Sequence, residues 1–142
     1  LQCSLCSKFK KALVIDGAKK YGCNKVAFAH HGDDAVETLF MNMVYGGKIA
    51  TFTPKMYLSR TDMNFIRPLV YAYESDIVTA VKEANIPIVE STCPADKHTK
   101  REEFKQLLND LYKKYPQAKN NLLTSLTNEK NTMLWKKTPR KK

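Results

Sequence analysis

Apolar residues recur at helical spacing through the first part of the chain, at Leu5, Phe9, Ala12 or Leu13, and Ala18. That pattern predicts a helix over 4–21, and Gly22 after Lys19-Lys20-Tyr21 supplies its stop. The pattern then changes. Lys25-Val26-Ala27-Phe28-Ala29 is a short apolar run between polar residues, as in a strand buried on both faces of a parallel sheet. A helix follows across 34–45, with Asp34 and Glu37 at capping-box spacing and Gly46-Gly47 as terminator. Residues 48–72 read as a strand pair around a polar turn at Ser59–Asn64, and Pro68 keeps the second strand short or at an edge. An amphipathic helix over 74–85 would turn Ile77, Val78 and Val81 inward. Pro87-Ile88-Val89-Glu90 predicts another short strand before Thr92-Cys93-Pro94. Two helical stretches, 99–115 and 117–127, are separated at Pro116 and lead into a basic tail ending Arg140-Lys141-Lys142, expected to be loose. Helices alternating with short strands place the chain in the α/β class.

The length, 142 residues, suits one compact domain, and the 43% hydrophobic content can supply its core. No apolar run is long enough to cross a membrane, and no basic-then-apolar leader opens the chain. The chain begins at Leu1, in mid-motif, as expected of a truncated or cut-down protein. The net charge of +10 is uneven: residues 97–142 hold +9 of it. A basic end with tyrosines nearby is the footprint of a polyanion binder, because Lys and Arg displace counterions condensed on phosphate. A solvated face with an unstructured tail is the competing explanation.

Four cysteines are present, at 3, 6, 23 and 93. Cys3 and Cys6 lie one helical turn apart, so their sulfurs share a side, and a helix N-terminus favours the metal-binding thiolate. Cys93 is a candidate third ligand. With His98 the set would suit tetrahedral zinc, and three thiolates alone would leave one iron of a cluster open. A dithiol redox pair competes with both. Cys23 directly follows the helix stop and reads as a buried structural thiol. His30-His31-Gly32-Asp33-Asp34 lies past the end of a strand and at the start of a helix, where open α/β sheets bind ligands. One carboxylate suffices for capping. Two acids beside two histidines can also hold Mg²⁺ against phosphates or orient an attacking group. Gly46-Gly47-Lys48 and Arg67 are weaker phosphate candidates.

Taken together, Cys3-Ser4-Leu5-Cys6-Ser7-Lys8, the run from Ala29 to Met43, Tyr45-Gly46-Gly47-Lys48 and Ile66-Arg67-Pro68-Leu69 closely resemble the tRNA 2-thiocytidine synthetase family. This is a PP-loop ATPase group of iron–sulfur-dependent tRNA thiolases, and the resemblance covers residues 1–95. It implies a partial Rossmann-like parallel sheet, of the adenine nucleotide alpha hydrolase kind, flanked by helices with a basic helical C-terminus. Residues 1–96 would be the C-terminal part of the catalytic domain, 97–130 a basic helical extension and 131–142 a flexible tail. The implied activity is ATP- and Mg²⁺-dependent adenylation of a tRNA base followed by replacement of oxygen with sulfur from a [4Fe–4S] cluster. Cys3, Cys6 and Cys93 match the cluster ligands. The second motif implies catalytic roles for Asp33 and Asp34 and nucleotide or base binding by His30, His31 and Glu37. Lys8, Lys10, Lys11, Lys48, Arg67, Lys100 and Arg101 are the cations expected on RNA. The expected partners are tRNA, a cysteine desulfurase system as sulfur donor and a second copy of the chain, with no membrane, in the cytoplasm. The family's Ser-Gly-Gly-x-Asp-Ser phosphate loop does not precede Cys3, so this chain alone is expected to be inactive. A zinc-stabilised RNA-binding module and a lysidine-synthetase-like tRNA ligase are the alternatives.

Overall fold

The computed structural model describes residues 3–93, 99–128, 130 and 132–135. Helix α1 (Cys3–Lys20) leads through a turn into strand β1 (Lys25–Ala27), and helix α2 runs from Gly32 to Gly46. Gly22 stops α1 in a left-handed conformation (φ 66°), as Gly47 does for α2 (φ 57°). A hairpin follows, β2 (Lys55–Leu58) and β3 (Met63–Ile66), then α3 (Glu74–Glu83), α4 (Lys100–Lys114) and α5 (Gln117–Ser125). The sheet order is β1-β3-β2. β1 and β3 are parallel, with Val26 opposite Phe65, and β2 runs antiparallel to β3, with Met56 opposite Phe65. The expected parallel sheet is therefore present as a single parallel pair extended by a hairpin.

Met63 and Phe65, alternate residues of the central strand, are the deepest in the sheet and pack with Val26 and with Ile15 of α1. Alternation puts them on one face, and their position between two strands removes them from solvent. A second apolar centre unites α2, through Ala35, Val36 and Leu39, with Phe104 and Leu108 of α4.

Three expectations do not hold. Residues 87–90 form no strand, and Ile88 and Val89 are 76% and 92% exposed. An apolar run makes a strand only when a neighbouring strand takes its N–H and C=O groups, and none does so among the described residues. Helix α3 ends at Glu83 and buries no apolar face: Ile77 and Val81 are half-buried and Val78 is exposed. It is tied at its N-terminal end by polar contacts instead, described below. Cys23 is exposed, because the turn after α1 carries it along the surface.

Candidate functional site

The parallel pair delivers its carboxyl ends side by side. Phe28 N–H donates to the Ile66 carbonyl at 2.9 Å, one step beyond β1, and the chain then turns through His30 and His31 into α2. Gly32 permits this entry. Its N–H donates to the Ala72 carbonyl at 2.8 Å, and a Cβ there would stand 3.0 Å from Leu123 of α5 and 3.1 Å from the Ala72 oxygen.

His31, rather than Asp34, is the N-cap of α2. Its Nδ1 accepts from the Asp34 N–H at 3.3 Å, and Asp34 Oδ2 accepts from the His31 N–H at 3.0 Å. The capping box thus lies one turn earlier than the Asp34–Glu37 spacing predicts, because imidazole can serve as the capping acceptor and leaves Glu37 free to point inward. Asp33 caps a different helix: its Oδ2 accepts from the Glu74 N–H at the start of α3, at 2.7 Å.

Both acids are also ion-paired with the C-terminal helices. Lys119 Nζ is 3.3 Å from Asp33, and Arg101 Nη1 is 3.3 Å from Asp34 and 2.9 Å from Glu37. Arg101 Nη2 donates to Thr38 Oγ1 at 3.2 Å, and Lys105 is 2.7 Å from Glu74. Burial pushes the Glu37 carboxyl up from its ordinary range, and the Arg101 bond works against that shift. The adjoining Tyr112 hydroxyl is pushed up to about 12, by burial first and then by the charges of Asp33 and Glu37. Asp33, Glu37, Glu74, Lys105 and Tyr112 line one cleft. Glu74, Lys105, Tyr112 and Lys119 were not legible as site residues. The four-residue spacing of Arg101 and Lys105 marks them as one helix face, but nothing in it says which face they meet.

His30 sits on a separate aromatic cluster. Its ring centroid is 5.7 Å from that of Phe28 and 5.1 Å from that of Phe52, and its Nδ1 is buried without a partner among the described residues. Desolvation lowers its pKa, opposed by Asp34. Arg67 is buried, not displayed: its guanidinium lies 4.7 Å from the Phe52 centroid. The remaining cations named for RNA, Lys8, Lys10, Lys11, Lys48 and Lys100, are exposed, with Lys100 bonded to Glu103 at 2.8 Å.

Cys3, Cys6 and Cys93 are all exposed free thiols. Among the described residues no three His, Cys, Asp or Glu side chains converge to hold a metal ion, so the sulfurs as placed do not fit a three-thiolate cluster. His98, the candidate fourth zinc ligand, lies outside the described residues. Among those residues, no helix is long and apolar enough to cross a membrane.

Residues 11–111 match the PP-loop domain family. The chain is 34% identical over 141 residues to the tRNA-cytidine(32) 2-sulfurtransferase of Sorangium cellulosum (strain So ce56), covering 95% of this chain and 50% of that protein. It is 40% identical over 115 residues to the enzyme of the same name from Vibrio vulnificus (strain YJ016), covering 80% of this chain and 37% of the relative. The chain thus spans half or less of these relatives' length. In structure it is similar to the U34-tRNA thiolase NcsA from Methanococcus maripaludis, solved with its [4Fe-4S] cluster, at a TM-score of 0.68 and 19% identity over 90% of this chain and 43% of that one. At that identity the likeness is one of fold. The matched profile covers most of the chain and includes the entire His30–Glu37 segment, and the chain belongs to the PP-loop domain family.

Proposed function

We propose that this chain is part of an ATP-dependent tRNA sulfurtransferase that forms 2-thiocytidine. The observation that carries the reading is the identity of 34% to 40%, over most of this chain, to tRNA-cytidine(32) 2-sulfurtransferases. ATP with Mg²⁺ would activate the C2 oxygen of the base as an adenylate, releasing pyrophosphate, and sulfur would then displace AMP. Asp33 and Asp34 are the carboxylates for the metal or the attacking group, which requires their pairs with Lys119 and Arg101 to open. His30, His31 and Glu37 line the nucleotide or base side. The exposed Lys8, Lys10, Lys11 and Lys48 supply the RNA-facing charge, and tRNA is the partner. Residues 1–96 act as the C-terminal part of the catalytic domain, with 97–130 as a basic extension whose helices α4 and α5 pack on α2. The site is cytoplasmic, the sulfur donor is a cysteine desulfurase system and the assembled enzyme is a homodimer.

Cys3, Cys6 and Cys93 are the proposed iron–sulfur ligands in a protein of the relatives' full length. Among the described residues they do not converge as a metal-binding group, so holding the cluster requires the three sulfurs to be brought together. A competing reading is a PP-loop tRNA ligase that needs no thiols, since no three ligating side chains converge among the described residues. Full activity of the complete protein after Cys3→Ser would support the ligase.

The test is nucleoside analysis of tRNA from cells lacking the full-length gene. Disappearance of 2-thiocytidine, restored by the gene, is the expected result; an unchanged content of that nucleoside overturns the proposal.

A further inference from the structure

Arg67 follows the last residue of β3 and is 8% exposed. Its backbone N–H donates to the Pro54 carbonyl at 2.9 Å, and its Nη1 donates to the Thr53 carbonyl at 2.6 Å. Those contacts hold the side chain against the Phe52 ring. They leave most of its donors unused: Nε is buried with no partner, and no carboxylate pairs with the guanidinium among the described residues. A buried cation that meets only a neutral carbonyl and a ring face is costly unless some other group completes it. Its counterpart across the strand pair has the same defect. His30 follows β1, packs on the same Phe52 ring and has its own buried orphan, Nδ1.

Two incompletely bonded nitrogen groups therefore share one aromatic ring at the carboxyl ends of neighbouring parallel strands, the edge at which sheets of this class bind ligands. Among the described residues no nearby acid supplies the missing acceptor: Asp33, Asp34 and Glu37 pair with Lys119 and Arg101 instead. Phe52 also lines an open apolar hollow with Ala35, Val70, Tyr71 and Leu123.

We infer that Arg67, with His30 beside it on Phe52, is a receptor for a phosphoryl group, one carried by a nucleotide or by an RNA backbone. The planar fork of arginine matches two phosphoryl oxygens, and a protonated or donor-tautomer His30 Nδ1 would give a further bond. This deepens the proposed function and rests on it only for the source of the phosphate. It also separates the buried Arg67 from the exposed lysines.

The test is a titration of the ¹⁵N-histidine-labelled full chain, followed by NMR at the His30 ring nitrogens. Inorganic pyrophosphate, ATP and a short anticodon-arm RNA are added separately, with acetate as the control anion. A saturable shift at His30 with pyrophosphate, absent with acetate, is the expected result. The same shift with ATP alone assigns the nucleotide, and with the RNA alone the backbone. Arg67→Gln should weaken pyrophosphate binding by roughly tenfold or more, the loss expected for a charge-assisted bond. Should that variant fail to fold by circular dichroism, Arg67→Lys keeps the charge without the fork and should still bind more weakly than the parent. No shift in the parent chain, an equal response to acetate, or undiminished binding in a folded Arg67 variant overturns the inference. Binding here does not depend on sulfur transfer, so intact phosphate binding with no thiolation phenotype would fault the proposed function alone.

Discussion

Arg101 Nη1 stands 2.9 Å from Oε2 of Glu37, joining α4 to a carboxylate whose side chain is only 5% exposed. The same guanidinium reaches Asp34 and Thr38, so one residue of the basic C-terminal segment holds three positions on α2. The charge excess of residues 97–142 is thus partly internal. Some of what composition reads as a polyanion-binding face is spent on the acids of the chain's own site.

Arg101→Ala should lower the unfolding free energy by about 2 kcal/mol, between the cost of losing an exposed pair and a buried one, since the arginine is itself partly exposed. Most of that cost comes from leaving Glu37 buried without its cation. Adding Glu37→Gln should therefore recover much of the loss in urea denaturation. An equal loss in the single and double variants would refute this account.

Asp33→Asn keeps an oxygen that can accept from the Glu74 N–H, while Asp33→Ala does not. The alanine variant should lose about 1 kcal/mol of stability, the usual cost of a lost helix cap. The asparagine variant should fold nearly as well, yet fail to restore 2-thiocytidine when placed in the complete protein. Full restoration by Asp33→Asn would leave Asp33 a purely structural residue.

Tyr112 makes stability fall at high pH. An unfolded tyrosine loses its proton near pH 10, whereas the folded one keeps it to about 12. Between those values the folded state binds more protons, so the unfolding free energy decreases as pH rises. Tyr112→Phe should flatten that slope in denaturation curves collected across the window; an unaltered slope would place the titrating group elsewhere.

Ile88→Ser and Val89→Ser should each change stability by no more than about 0.5 kcal/mol, because both side chains already face solvent. Phe65→Ala, at a fully buried position, should cost about 3–5 kcal/mol. Thermal melting of the three variants checks the contrast. A large loss at Ile88 or Val89 would mean that 87–90 is packed after all.

All four cysteines should react promptly with a thiol reagent under native conditions. If iron or zinc gathers the proposed ligands, anaerobic metal loading should protect Cys3, Cys6 and Cys93 and leave Cys23 reactive. Protection of none, or of Cys23 as well, counts against that ligand set.

Periodicity was enough to place α1, α2, α4 and α5, and the glycine stops at 22 and 47, because these features depend on residues within a turn or two of each other. The hairpin and the short β1 were legible for the same reason, as was the clustering of histidines and acids at the head of α2. Ile88 and Val89 show where that reach ends. Their apolar pattern is that of a strand, but pairing depends on a neighbour that local sequence does not specify. The same limit explains Asp33, Asp34 and Arg101: the sequence by itself showed that acids and cations are present, while only the packing of α4 and α5 onto α2 decided that they neutralise one another. Placement of Arg67 and the His30 ring against Phe52 likewise came from the parallel pairing of β1 with β3. Local propensity is written in neighbouring residues. Desolvation and charge pairing are set by which distant segments meet.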